Sequence, residues 1–314
     1  MLAAHREVTN ACLHETRNSP YILGMRATIL PIAAGNTVVL KGSELSPRSM
    51  WAIVCVLQEA GLPRGVLNFI STDISRASSV SKAIIAHPQV KKVNFTGSTA
   101  VGRIVAVLAA QHLKPALLEL GGQAPAIVCE DANLDLAAQC CVAGAFMYAG
   151  QCCMATERII VQKSDETALM INPQGVKKVT RLLEDAEAKG ATITRPGSDA
   201  VDSLNTGSRL RPSVLTGVTC DMDTYRNENF GPTVSIFEFE TDEEALAIAH
   251  DTDYGLAAAV YTEDLRRGLR FARALEIGAV HINNMSLHDE SALPHGGFKA
   301  TGYGKFNTVF GLSE

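Results

Sequence analysis

Two cysteines stand side by side in Gly150-Gln151-Cys152-Cys153. One carboxylate, Glu119, stands 34 positions before Cys153, in Leu117-Leu118-Glu119-Leu120-Gly121-Gly122. A cysteine becomes a nucleophile when its thiolate is favoured, or when it is held within reach of an acceptor whose adduct is stabilised. A glutamate at the end of a buried strand loses hydration, which raises its pKa and makes it a usable general base near neutral pH. Each has a plainer reading. Either cysteine serves equally well as a small buried apolar side chain. Glu119 serves as a strand end that turns into water, and the pattern alone favours that reading. The two glycines behind Glu119 permit a sharp turn and the close approach of a ligand. Eight cysteines occur in all, with no Cys-x-x-Cys pair and no Cys/His spacing suited to zinc. They are expected to be reduced thiols packed as small hydrophobes, with no metal site.

The elements that must position these groups follow from the hydrophobic period, which changes repeatedly along the chain. Asn36–Lys41, Gly65–Ile70, Lys91–Phe95, Ala116–Leu120 and Pro125–Cys129 are short apolar runs that predict buried strands. Helices are predicted between them. One starts at Ser46 as N-cap, with Pro47 in its first turn and Gly61 at its stop; a second runs up to Pro88; a third is capped by Ser98. Asn133–Gly150 reads as one long apolar helix ending just before the paired cysteines. The second half continues with a strand over Glu157–Gln162, an amphipathic helix over Pro173–Gly190 and a strand over Thr233–Glu240. A capping box from Thr241 to Glu244 opens the next helix, and another strand–helix–strand unit ends near Asn283. This alternation predicts an α/β fold with parallel-rich sheets covered by helices, where ligands bind at the carboxyl ends of strands.

Composition narrows the function classes. At 314 residues and 46% hydrophobic, the chain is long enough for a large core and two domains. A net charge of −5 and the absence of Lys/Arg runs argue against a nucleic-acid-binding surface. No apolar run reaches membrane-spanning length, and the opening residues lack the apolar stretch of a signal peptide. The expectation is a cytoplasmic protein with neither membrane nor nucleic acid as partner.

The motifs taken together resemble the aldehyde dehydrogenase superfamily. "LELGG" and "GQCC" are joined, in family order, by "RNSP" (Arg17–Pro20), "AAGNTVVLKGSE" (Ala33–Glu44) and "GLPRGVLN" (Gly61–Asn68). The series continues with "FTGSTAVG" (Phe95–Gly102), "ENFGP" (Glu228–Pro232), "YGLAA" (Tyr254–Ala258) and "HGGFKATGYGKF" (His295–Phe306). Each piece alone is a common glycine-rich turn; their order across nearly the whole chain carries the resemblance. The loop "HINNMSLHDE" (His281–Glu290) is most similar to the branch acting on aromatic aldehydes such as salicylaldehyde or vanillin. The resemblance implies a Rossmann-type cofactor domain over 1–121 and a catalytic domain over 122–314. It implies that Cys153 is the nucleophile, because the family pattern is Gly-Gln-any-Cys, and that Cys152 fills the variable position and packs. Asn18 with the Cys153 backbone N–H would hold the oxyanion, and Glu119 would activate water to hydrolyse a thioester.

The cofactor contacts come by the same resemblance. Lys41 and Glu44 match positions that hold the adenosine ribose; a carboxylate there repels a 2′-phosphate and favours NAD, with NADP tolerated through Lys41. Gly97 and Ser98 open a helix whose N-terminal N–H groups suit a pyrophosphate. Glu228 and Phe230 match the nicotinamide ribose and ring positions. Without the resemblance these are a solvated strand end, an ordinary N-cap and a surface loop charge. His288 and His295 flank the loop on the substrate side, where such residues either touch a ligand or only pack.

The sequence also departs from the family. Arg17 precedes Asn18 where an aromatic residue after a proline is usual. The family's large N-terminal portion, which completes the cofactor domain, is expected to be missing, as is a helix near 164–172 and the strand that completes subunit contact beyond "VFGLSE". Family members are homo-oligomers, and these segments dictate assembly. The resemblance thus implies a truncated member that oxidises an aldehyde to its acid. One alternative is a family-derived protein that no longer turns over. Another is an acylating relative that passes the thioester to coenzyme A, although those enzymes commonly lack the glutamate.

Overall fold

A computed structural model describes residues 9–14, 18–160, 173–195 and 210–313. The expected internal deletion near 164–172 and the departure at Arg17 lie outside the described residues. The chain divides into two compact units. The first comprises Met1–Leu120 with Glu290–Gly296 and Thr301–Glu314; the second comprises Gly121–Asp289 with Gly297–Ala300. The sequence expectation of a single division after 121 therefore misses two late returns to the first unit.

In the first unit, strands β1 (Thr9–His14), β2 (Thr37–Lys41), β3 (Leu67–Ile70), β4 (Val90–Thr96) and β5 (Ala116–Glu119) form a parallel sheet in the order β5-β4-β1-β2-β3. The two-residue strand Gly302–Tyr303 adds antiparallel to β5 at the sheet edge. Helices α1 (Pro20–Ala33) and α2 (Pro47–Glu59) share a core of Ala27, Val38, Leu40, Val54 and Leu67. Helices α3 (Ile74–Ala86) and α4 (Thr99–Gln111) share another, in which Ile85, Val93, Phe95, Val105 and Leu118 are buried. With both faces covered, Val38 and Leu40 of β2 join the first core while Val39 packs against the second, which explains the near-continuous apolar run of β2. The pairings of Leu13 with Lys41, His14 with Thr96 and Thr96 with Glu119 bring the carboxyl ends of β1, β2, β4 and β5 level. The order reverses at β1, the arrangement that opens a ligand crevice in doubly wound sheets.

The second unit builds a seven-stranded sheet. Its strands are β6 (Ala124–Val128), β7 (Thr156–Ile160), β8 (Thr192–Thr194), β9 (Ser213–Thr216), β10 (Thr233–Phe237), β12 (Ala257–Tyr261) and β13 (Ala279–Ile282), in the order β13-β12-β6-β7-β10-β9-β8, with only β8 antiparallel. A separate pair joins β11 (Tyr254–Gly255) to β14 (Phe298–Lys299). Helix α5 (Leu134–Phe146) covers one face, burying Cys141, Ala145 and Phe146 against Ala126, Val128 and Tyr261. On the other face, α8 (Asp242–His250) and α9 (Leu265–Ala274) bury Ala245 and Phe271 against Ile127, Cys129 and Val260. Helix α6 (Pro173–Ala188) packs Val179 and Leu183 against Leu215, and α7 (Asp223–Arg226) is a single turn ahead of β10. No helix among the described residues is long and apolar enough to cross a membrane.

The helix expected over Asn133–Gly150 stops at Phe146. Met147–Gly150 form a tighter turn in which Tyr148 (φ 53°), Ala149 (φ 56°) and Gly150 (φ 64°) are all left-handed. For a residue with a Cβ that conformation costs about 1–2 kcal/mol. The turn just before the paired cysteines is thus strained.

Candidate active site

In the first unit the candidate residues all sit at the carboxyl ends of parallel strands. Asn18 follows β1 and is half-buried, just before α1. Lys41 ends β2; it is buried, not solvated, and forms an ion pair with Glu44. Ser98 holds the N-cap position of α4, and the Gly97 N–H donates to the Glu119 carbonyl at 3.2 Å, tying the ends of β4 and β5 together.

Glu119 does not turn into solvent. Its side chain is 1% exposed and is ion-paired with Arg26 of α1, while His295 Nε2 lies 3.2 Å from the other carboxylate oxygen. Arg26 in turn stacks on Phe306, 4.5 Å from the ring centroid. Sequence reasoning favoured an exposed Glu119 because its partners lie far away along the chain. Arg26 comes from the opposite flank of the sheet's chain order, and His295 arrives from the late return. His295 is therefore a partner of the carboxylate, beyond mere packing.

In the second unit the candidates gather where β6, β7 and β10 begin. Cys153 is half-buried in a turn closed by Ala155 N–H donating to the Cys152 carbonyl at 2.9 Å. Ser286 Oγ donates to the Met154 carbonyl at 2.8 Å and anchors the same turn. Cys152 is half-buried as well, short of the fully packed position expected. A Cβ on Gly122 would lie 2.0 Å from the Cys153 carbonyl oxygen, so a glycine is required there. At Gly122 a close approach is made by the Cys153 backbone. The Gly122 N–H donates to Glu228 Oε1 at 2.9 Å.

The loop carrying Glu228 and Phe230 has its own anchor. The Glu157 carboxylate, on β7, accepts from Asn229 N–H at 2.8 Å and Phe230 N–H at 2.9 Å. Phe230 is left-handed (φ 52°), and a Cβ on Gly150 would meet the Gly231 carbonyl oxygen at 2.1 Å. The strained turn before Cys153 and the strained loop after Glu228 thus pass backbone to backbone. Glu228 is no surface charge: burial raises its pKa, and burial together with the neighbouring Glu228 carboxylate raises that of Glu157. Next to it, Arg158 is 1% exposed, donates to the carbonyls of Asp251 (3.0 Å) and Ile248 (2.9 Å), and lies over the Tyr225 and Phe237 rings. Gln123 Nε2 spans to the carbonyls of Thr224, Tyr225 and Asn227. Glu157 was read from sequence only as the start of a strand. The visible signal was two adjacent charges, Glu157 and Arg158, opening an otherwise apolar buried run.

The other buried thiols are unsuited to attack. Burial pushes Cys129 up to about 11 and Cys141 up to about 12. Among the described residues no group of three or more His, Cys, Asp or Glu could hold a metal ion. The donor set does fit a dinucleotide. In the first unit, level strand ends, a helix N-terminus at Ser98 and a paired cation and carboxylate at Lys41 and Glu44 suit a diphosphate and a ribose diol.

Comparison with known proteins agrees with these local features. Residues 17–170 and 164–314 match the aldehyde dehydrogenase family. Over 314 aligned positions the chain is 43% identical to a vanillin dehydrogenase of Pseudomonas fluorescens, taking in 92% of this chain and 64% of that one. A salicylaldehyde dehydrogenase of Pseudomonas putida G7, crystallised with salicylaldehyde, superposes with a TM-score of 0.91 at 36% identity, covering 98% of this chain and 68% of that chain. An NADP-dependent enzyme of E. coli superposes with a TM-score of 0.88 at 31% identity, over 97% and 67% of the two chains. The chain spans about 64% of the length of the curated relatives it matches. From the ordered strand ends and the glycine-lined cysteine turn to these similarities across nearly all of this chain, the findings converge: this chain belongs to the aldehyde dehydrogenase family.

Proposed function

We propose that this protein oxidises an aldehyde, with aromatic aldehydes as the substrate class, to the carboxylic acid with NAD, as a cytoplasmic enzyme. The observation that carries the reading is the cluster in the second unit. There the Cys153 turn rests on Gly122, whose N–H binds Glu228, one of the two residues assigned to the nicotinamide side. The similarity to vanillin and salicylaldehyde dehydrogenases supports the substrate class. The Lys41–Glu44 pair supports NAD, because a 2′-phosphate would have to compete with Glu44 for Lys41 and would be repelled by it.

In this reading the Cys153 thiolate attacks the aldehyde carbon, forming the C–S bond and sending the carbonyl π pair to oxygen. The Asn18 side-chain amide and the Cys153 backbone N–H donate to that oxyanion, each such donor contributing about 3–4 kcal/mol to the transition state. Bound NAD supplies the acceptor for the hydride that leaves as the adduct becomes a thioester. Glu119 then takes a proton from water, whose oxygen attacks the thioester carbon, and the C–S bond breaks to return the Cys153 thiolate and the acid. For Glu119 to act, its carboxylate must exchange the Arg26 ion pair for a water molecule.

The test mixes purified protein with NAD and with benzaldehyde-type or aliphatic aldehydes, following absorbance of the reduced cofactor, with Cys153→Ala as control. Turnover that disappears in the variant is the expected result. No turnover by soluble, folded protein would replace this reading with that of a non-catalytic relative.

A further inference from the structure

We propose that Glu157 is a positioning residue for the cofactor, clamping the Glu228–Phe230 loop onto the strand that leads from Cys153 and so fixing the spacing between the thiol and the nicotinamide ribose. The inference rests on the dehydrogenase reading above. It comes from three features of the second unit. First, Glu157 lies four positions after Cys153 on the same short stretch of chain, so whatever it binds is held in register with the nucleophile. Second, its carboxylate spends both oxygens on successive N–H groups of the loop, at 2.8 Å to Asn229 and 2.9 Å to Phe230. The second of these belongs to a residue in a left-handed conformation that phenylalanine does not favour, so the loop needs an external hold. Third, the loop is pinned again one residue to either side. Gly122 N–H donates to Glu228 Oε1, and the Gly231 carbonyl lies where a side chain on Gly150 would have to go.

A buried carboxylate is an expensive group to keep at a purely structural site. Burial and the facing Glu228 carboxylate both act against its charge, the two loop N–H bonds act for it, and the nearby Lys178 ammonium offsets part of the cost. Lys178 also donates to the Glu228 carbonyl at 2.5 Å, so the charged groups around the loop are Glu157, Glu228 and Lys178. A neutral glutamine would fill the same volume but offers one acceptor oxygen, leaving an amide NH₂ against one of the two backbone N–H groups.

The experiment compares wild-type protein with Glu157→Gln by isothermal titration of NAD and by steady-state kinetics. Loss of one of the two loop hydrogen bonds predicts a Kd and a KM for NAD raised about tenfold to a hundredfold. The KM for aldehyde should stay close to wild type, while the melting temperature without NAD falls because one buried N–H is left unmatched; the split between NAD and aldehyde is one that a general structural weakening would not produce. If Glu157→Gln fails to fold, Glu157→Asp, which keeps both acceptor oxygens but falls one methylene short, reads the same contrast. NAD affinity equal to wild type in a folded variant overturns the proposal and leaves the dehydrogenase reading standing. Absence of NAD binding by the wild-type protein removes both.

Discussion

Replacing Gly122 by alanine tests the close packing beneath Cys153, the proposed nucleophile. The added Cβ would stand 2.0 Å from the Cys153 carbonyl oxygen, whereas a carbon and a carbonyl oxygen approach to about 3.3 Å, so roughly 1.3 Å must be found by movement. Neither side yields easily. Gly122 is tied through its N–H to Glu228, and its neighbour Gln123 reaches three carbonyls of the 224–227 segment. On the other side the turn is closed by the Ala155–Cys152 hydrogen bond and by Ser286. Overpacking of this kind costs about 1–3 kcal/mol. At about 2–4 °C per kcal/mol for a domain of 150–250 residues, the melting temperature should fall by roughly 2–12 °C. The larger effect is on chemistry: a nucleophile displaced by about 1 Å loses on the order of a hundredfold in rate. Thermal melting monitored by dye fluorescence and kcat/KM for a benzaldehyde-type substrate read the two effects separately. A Gly122→Ala protein with wild-type melting and wild-type kcat/KM would show that the Cys153 backbone does not rest on this glycine.

Two further outcomes concern buried charge. Arg26→Met leaves the buried Glu119 carboxylate facing His295 without its guanidinium partner and should lower stability by about 3–5 kcal/mol in denaturant titration. Adding Glu119→Gln to it should recover much of that loss, and Glu119→Gln alone should give one equivalent of reduced cofactor followed by slow turnover; full steady-state turnover would rule out its role as base. The second outcome is a pH dependence: burial lifts Glu228 up to about 7 and Glu157 up to about 8 from an ordinary 4.5, so between about pH 4.5 and pH 8 the folded chain holds more protons than the unfolded one. Stability should therefore fall as pH rises through that window, and the decline should be shallower in Glu228→Gln. An equal slope in both proteins, measured by melting temperature against pH, would count against the burial of this pair.

The layered architecture was legible because strands buried on both faces read as short apolar runs and their helices carry clear stops, as at Gly61 and Pro88. Thr241 behaves as the capping residue its spacing announces, with Glu244 N–H donating to it at 3.2 Å. Strand β1 was missed: "TNACLH" has neither alternation nor β-branched character, and only its place in the middle of a sheet makes it a strand. Helix α1 was missed for a similar reason, since its Pro31 reads as a breaker. The break at Phe146 had no warning either, because Tyr148 and Ala149 are not residues that announce left-handed backbone. Motif order singled out Asn18, Glu119 and Cys153 as candidates, whereas local pattern misjudged the surroundings of Lys41, Glu119 and Glu228. The partners of Glu119 and Glu228 lie tens to hundreds of positions away, and no local window contains them; the Lys41 partner, Glu44, is close in sequence, but nothing local shows that the pair is buried.

The late return of the chain has a consequence for timing. Glu119 emerges long before the residues that surround it: its strand gains its outer neighbour only when Gly302 and Tyr303 emerge, and its imidazole partner only with His295. The Leu120 N–H likewise waits for the Thr301 carbonyl, 2.8 Å away in the finished fold. A ribosome-bound intermediate lacking these residues would already own the Cys153 turn while Glu119 lacked its seat. A protease cut just ahead of His295 would undo the same arrangement after the fact, which makes the segment from His295 to Tyr303 a checkpoint on when the Glu119 carboxylate is held in place.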